Sequence, residues 1–156
     1  MYYIIIIALT AVDQAVKYII RANMNLGESI PVIENILHIT YVSNSGGAFS
    51  ILRGQTVLLT VFPAILIIAI IVYIQKNKDN SRAPVSFGLS LICSGGLGNV
   101  IDRARFSAVT DFIDFRVFPV FNVADICVCC GCGLIIIYMF IESSRGKPDA
   151  RTQSDG

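Results

Sequence analysis

Carboxylates at the edges of apolar runs are the residues of this sequence best equipped for chemistry. Asp111 and Asp125 are the hardest of them to explain as structure alone. Two carboxyl groups close together at a low-dielectric boundary share one proton, because both cannot ionise cheaply. Such a pair supplies a general base and a general acid from one residue type. The base takes a proton from water, the water attacks a peptide carbonyl, and the acid protonates the leaving nitrogen. No covalent intermediate is needed. Spacing does not choose the pair, and Asp102, Asp111, Asp114 and Asp125 all qualify.

Other polar residues surround these candidates. Asp13 and Lys17 stand one helical turn apart, Asn99, Asp102 and Arg103 share a face, and Asn122 and Asp125 are three residues apart. An ionisable side chain inside a membrane span costs roughly 2.5–3.5 kcal/mol on insertion scales, so each is a functional candidate. Each also has a plainer reading. Asp13 with Lys17 can be an ordinary intrahelical ion pair, and Asn99-Asp102-Arg103 can simply end a helix near the interface. Gly95-Gly96-Leu97-Gly98 reads as a close helix contact, since it follows no strand that would make it a phosphate loop. Nucleophile chemistry is poorly supported. His38 is the only histidine, and there is no Gly-x-Ser-x-Gly elbow and no His-Glu-x-x-His. His38 reads as a strand or interface residue.

The elements that must position these groups are written in the hydropathy. Hydrophobic residues make up 54% of the 156 positions and charged residues 15%, with a mean hydropathy of +0.69, too little polar surface for a soluble domain of this size. Four apolar runs are long enough to cross a bilayer, at about 3–22, 57–75, 85–102 and 121–141. The predicted fold is therefore an all-α membrane protein, one integral domain of four transmembrane helices. A long first loop lies between the first two. Within it, Ile36 to Val42 is rich in β-branched and aromatic residues, which predicts one or two short strands before a turn at Gly46-Gly47. Residues 143–156 read as a disordered cytoplasmic tail. The first run lacks a basic n-region and a cleavage site, so it reads as a retained span. Lys76, Lys78, Arg82, Arg145, Lys147 and Arg151 mark one side of the membrane, and Arg21, Arg53, Arg103, Arg105 and Arg116 the other. The first set lies in a short loop and a motif-free tail, which places both termini in the cytoplasm and the long first loop outside. The outer ends of spans one, three and four then share one depth. The cysteines Cys93, Cys127, Cys129, Cys130 and Cys132 sit in apolar runs and read as small packing residues, neither disulfides nor metal ligands. No basic stripe suggests nucleic acid.

At this point the motifs form a recognisable set. Asp13-Gln14-Ala15-Val16-Lys17 looks like the Asp-x-x-x-Lys element of the lipoprotein signal peptidases, also called signal peptidase II. Asn44-Ser45-Gly46-Gly47-Ala48-Phe49-Ser50 is similar to their Asn-x-Gly-Ala-Ala-Phe-Ser, with Gly47 in place of the first alanine. Gly98-Asn99-Val100-Ile101-Asp102-Arg103 resembles the Gly-Asn-x-x-Asp-Arg signature. Val109-Thr110-Asp111-Phe112 resembles Val-x-Asp-Phe, and Phe121-Asn122-Val123-Ala124-Asp125 resembles Phe-Asn-x-Ala-Asp. Each motif alone is weak, but all five occur in family order from Asp13 to Asp125.

The resemblance implies an aspartic endopeptidase of the bacterial cytoplasmic (inner) membrane, without metal or cofactor. It implies Asp111 and Asp125 as the catalytic pair, and supporting or substrate-binding places for Asn44, Asn99, Asp102, Arg103, Asn122, Asp13 and Lys17. The implied substrates are diacylglyceryl-modified prolipoproteins, reached through membrane lipid at the outer leaflet and cut before the lipidated cysteine. A globomycin-type inhibitor and a monomeric state are expected. Two rival readings come from other classes. A small transporter would use Asp13, Lys17, Asp102 and Arg103 as an ion relay, but it should carry polar residues at mid-span, and span two has none. A non-catalytic membrane scaffold leaves the converging aspartates unexplained.

Overall fold

The computed structural model describes residues 1–46, 56–77 and 83–145. The second half of the Asn44 motif, from Gly47 to Ser50, and the basic residues Arg53, Lys78, Arg82, Lys147 and Arg151 lie outside the described residues. The elements run α1 (Tyr2–Asn23), β1 (Ser29–Ile33), β2 (Leu37–Asn44), α2 (Thr56–Lys76), α3 (Ala83–Phe106), β3 (Val109–Asp114) and α4 (Val123–Arg145). All four helices are long and apolar enough to cross a membrane. α4 continues to Arg145, so Ser143 and Ser144 belong to a helix and not to the expected tail. The remaining residues of that segment, 146–156, lie outside the described residues.

Helix α3 is the centre of the bundle, and its composition explains why. It has the lowest mean hydropathy of the four spans, 1.4, and the largest buried share, 39%. α2 is the reverse, at 3.0 and 11%, and presents Val57, Leu58, Val61, Phe62 and Ile65 outward, as a lipid-facing helix should. Pro63 lies inside α2, where it leaves one backbone carbonyl of the preceding turn without its usual donor. Against α4, helix α3 presents small residues. A Cβ on Gly95 would collide with the backbone oxygen of Ala124, and one on Gly131 of α4 would collide with that of Gly88. Lipid tails are as apolar as leucine, so close van der Waals packing of this kind is what holds two spans together. This is the close contact expected of the glycine run. On its other side α3 meets a small apolar cluster of Ile6, Ile67, Ile74 and Cys93.

The cysteine expectation needs correction. Cys93 and Cys127 are buried packing residues, but Cys129, Cys130 and Cys132 are exposed. Consecutive helical positions point in different directions, so this run of thiols cannot all face one neighbour.

A three-stranded antiparallel sheet in the order β1-β2-β3 stands outside the bundle. β2 covers the stretch where a strand was expected, and β1, which was not expected, precedes it to form a hairpin turning through Asn35, whose φ of 62° is in the left-handed region that asparagine tolerates. β3 is new relative to the sequence reading, which placed no strand after span three. It follows α3 through Ser107, at φ 58°, and pairs with β2 from Asn44↔Val109 to His38↔Asp114. The register slips between Ile39 and Val42, so a bulge lies beside Asp111. At the free edge of β3, Phe121 bridges to Ile113 and leads the chain into α4.

Candidate active site

Three helix ends and two strands converge on a polar region with two distinct parts. The first is a buried ion cluster. Lys17 is fully buried and donates to Asp13 Oδ2 at 2.9 Å and to Asn99 Oδ1 at 2.9 Å, with Asp102 Oδ2 3.5 Å away. Asp13 turns its other oxygen to the backbone N–H of Ala124, at 2.9 Å. That N–H belongs to the unpaired first turn of α4, so α1 supplies a cap to a different helix. Gly98 makes room for this contact, since a Cβ there would strike the Asp13 carboxylate. Asp102 accepts from Gln14 at 3.2 Å, from Arg21 at 3.3 Å and from the backbone N–H of Thr110 at 2.9 Å. Every buried charge here has a partner, which a low-dielectric site demands.

The second part is built from amides. Asn122 is the N-cap of α4: its side-chain oxygen accepts from the Asp125 N–H at 3.0 Å, and Asp125 Oδ2 accepts from the Asn122 N–H at 3.2 Å. This reciprocal pair is a capping box, and it explains the three-residue spacing of the two. The Asn122 amide nitrogen is left free to donate to Asp111 Oδ1 at 2.6 Å and Asn99 Oδ1 at 3.2 Å. Asn99 donates in turn to Asp125 Oδ1 at 2.9 Å. Asn44 lies two residues beyond Val42, the cross-strand partner of Asp111, and so on the same sheet face. It donates to Asp111 Oδ2 at 2.8 Å.

The structure separates the four aspartates that spacing left open. Asp102 is saturated within the ion cluster. Asp114 faces away, bonded to Thr40 at 2.7 Å and to Arg116 at 3.1 Å. Asp111 and Asp125 line a common cavity of about 320 Å³, with Asn44, Asn99 and Arg103. Their wall is otherwise apolar, including Val109, Phe118 and Val128. The donors that hold the two carboxylates are neutral amides and a backbone N–H, and neither has an ion pair with the Arg103 that lines the cavity beside them. The Arg103 Nε is buried without a hydrogen-bond partner. Burial, first of all, and the charge of Asp125 lift the Asp111 carboxyl from 3.8 to about 6, against the pull of hydrogen bonds from Asn44 and Asn122. The arrangement can hold one proton between two carboxyl groups near neutral pH, as general acid–base work on water requires. Among the described residues, no group of three or more histidine, cysteine, aspartate or glutamate side chains is gathered to hold a metal ion.

Apart from Asp114, every site residue singled out in the sequence thus falls in one of these two parts or lines the cavity beside them. Three others were missed. Gln14 also reaches the Gly98 carbonyl at 3.0 Å, and Arg21 donates to Thr110 Oγ1 at 2.8 Å. A signal for Arg21 existed: it continues the four-residue spacing of Asp13 and Lys17 along one face of α1. Nothing in the sequence marks Thr110.

Comparison with known proteins shows the family and the fold. A family model described as signal peptidase (SPase) II matches residues 5–141. The chain is 40% identical to a lipoprotein signal peptidase of Halothermothrix orenii, with 94% of this chain and 99% of that protein covered. It is 37% identical to that of Bacillus subtilis, over 96% and 99% of the two chains. Its fold superimposes on a solved bacterial membrane enzyme structure, determined in meso at 2.3 Å, with a TM-score of 0.86 and 36% identity over 94% of this chain and 91% of the other. By its motifs, its four spans and its near full-length similarity, this multi-pass bacterial membrane protein belongs to the signal peptidase II family of proteases.

Proposed function

We propose that this protein is an aspartic endopeptidase that removes the signal peptides of diacylglyceryl-modified prolipoproteins, cutting before the lipidated cysteine, with Asp111 and Asp125 as the catalytic pair. The observation that carries this reading is the contrast among the aspartates: only Asp111 and Asp125 face the cavity, and neutral donors hold both. One carboxylate takes a proton from water. The other, still protonated, donates to the nitrogen of the departing signal peptide. Asn99 and Asn122 hold the pair in register, Asn44 orients Asp111, and Arg103 meets the substrate backbone at the cavity wall. Asp13, Lys17 and Asp102 brace the helix ends.

The substrate is an apolar helix followed by a residue bearing two acyl chains, so it arrives sideways through lipid. The apolar cavity wall, between the C-terminal end of α3, β3 and the N-terminal end of α4, suits such an approach. In this reading the site lies at the outer leaflet of the inner membrane, the termini are cytoplasmic, the protein works as a monomer, and a globomycin-type cyclic peptide occupies the cavity.

The test is cleavage of a diacylglyceryl-modified prolipoprotein by purified protein in lipid. Asp111→Asn and Asp125→Asn should each abolish it while Asp114→Asn keeps it. Cleavage surviving in either of the first two variants removes the dyad assignment.

A further inference from the structure

Asp111 sits on a strand that the sheet alone holds loosely. β3 is the last strand in the sheet, paired with β2 on one edge and held on the other by the single bridge to Phe121, and the register slips beside Asp111. Strand alternation sends the Asp111 side chain to the cavity and that of its neighbour, Thr110, to the opposite face. There Thr110 is 5% exposed and is gripped twice. Its backbone N–H donates to Asp102 Oδ2 at 2.9 Å, and its hydroxyl accepts from Arg21 Nη1 at 2.8 Å. The same Arg21 nitrogen reaches Asp102 Oδ1 at 3.3 Å. The guanidinium lies over the Phe106 ring, 4.5 Å from its centroid, which fixes its plane.

We propose that Arg21 and Thr110 are positioning residues for the reaction: they clamp β3 to α1 and α3 and so set where Asp111 stands relative to Asp125. Neither reaches the cavity. They act through the backbone, because a shift of Thr110 along the strand is a shift of Asp111 on the other face. A displacement on the order of 1 Å in a reacting group can cost about a hundredfold in rate. This inference rests on Asp111 being catalytic, as proposed above.

The test compares Thr110→Val, which keeps the β-branched shape and removes the hydroxyl, with Thr110→Ser, which keeps the hydroxyl. Thr40→Val is the matched control, since it deletes a hydroxyl–carboxylate bond of 2.7 Å elsewhere in the same sheet. All three are assayed in lipid with a diacylglyceryl-modified prolipoprotein, beside Asp111→Asn and Asp125→Asn. The expected result is a fall in kcat of at least about tenfold for Thr110→Val with KM nearly unchanged, and a displaced pH–rate profile. Thr110→Ser and Thr40→Val should stay within about threefold of the parent on the same scale. Arg21→Gln should resemble Thr110→Val, and the double variant should be little worse than either single one, because both break the same contact. Equal losses in Thr110→Val and Thr40→Val would reduce the effect to general sheet stability and overturn the clamp. So would full activity in Thr110→Val while both aspartate variants are dead, which would leave the catalytic pair standing. Cleavage by Asp111→Asn would bring down both the pair and the clamp.

Discussion

The two halves of the polar region use the same residue type to opposite ends. Asp13 and Asp102 are buried next to Lys17 and Arg21, and each also accepts a backbone N–H. Asp111 and Asp125 have asparagine amides, a backbone N–H and each other. A cation stabilises an ionised carboxylate and locks it in that state. A neutral amide orients a carboxyl group and favours its ionised form too weakly to overcome burial at Asp111. On the proposed assignment, the charge of the donors separates the structural aspartates from the reactive ones, and burial lifts Asp111 where, among the described residues, no cation is bonded to it.

That comparison can be broken most directly at the reactive half. Asp111→Asn and Asp125→Asn should each lower cleavage by at least about a thousandfold, near the upper range for lost acid–base catalysis. Their stability should tell the complementary story. The Asp111 carboxyl is raised to about 6 in the folded protein from 3.8, so the folded state binds more protons than the unfolded one between those values. Its contribution is therefore favourable at low pH and is lost as pH rises through about 6. At pH 7–8 Asp111→Asn should melt at or above the parent temperature in the same detergent. A lower melting temperature would place Asp111 with the structural half.

Lys17→Met tests the other half. It strands Asp13 and Asp102 without their shared cation, and breaking a buried pair in this way costs about 3–5 kcal/mol. Thermal unfolding in detergent should show that loss. An unchanged melting temperature would mean that the ion cluster is not what holds α1 to α3. Asn122→Ala cuts across both halves, since it deletes the α4 cap and the amide between Asp111 and Asn99. We expect about 1 kcal/mol of destabilisation from the cap and a loss of roughly ten- to a hundredfold in kcat from the disordered pair. The smallest effect belongs to Asn44→Ala. Activity should fall as pH rises through about 6, where the pair loses its shared proton. The Asn44 hydrogen bond holds the Asp111 value down, so its removal should move that limb to higher pH, by less than about one unit for a single neutral bond. A shift to lower pH would contradict the assignment of the limb to Asp111.

Much of this architecture is legible in the order of the amino acids. The four spans stand out because a bilayer demands about 20 apolar residues in a row, and β2 because Ile36 to Val42 is rich in β-branched and aromatic side chains. β3 escaped for an equally physical reason. It is six residues long, carries Asp111 and Asp114, and depends on pairing with β2 from much earlier in the chain. The spacing of Asn122 and Asp125 shows that they share a face, but the capping box needs the helix to begin at Val123. The meeting of Asp111 with Asp125 needs both the strand and the Phe121 bridge, neither of which is a local property. For that step the motif resemblance carried information that spacing lacked.

One contact has a consequence for the birth of the molecule. Asp13, near the start of the chain, caps α4 through Ala124, 111 residues later. During synthesis the first span enters the bilayer with Asp13 lacking its Ala124 partner, and the last span arrives with its own capping box but with the Ala124 N–H still unpartnered. Neither end is complete until the two meet, and such a distant closure is late by nature. On the proposed assignment, a half-made chain therefore holds no assembled pair of carboxylates, and the ability to cut peptides in the membrane appears only when α4 has been threaded.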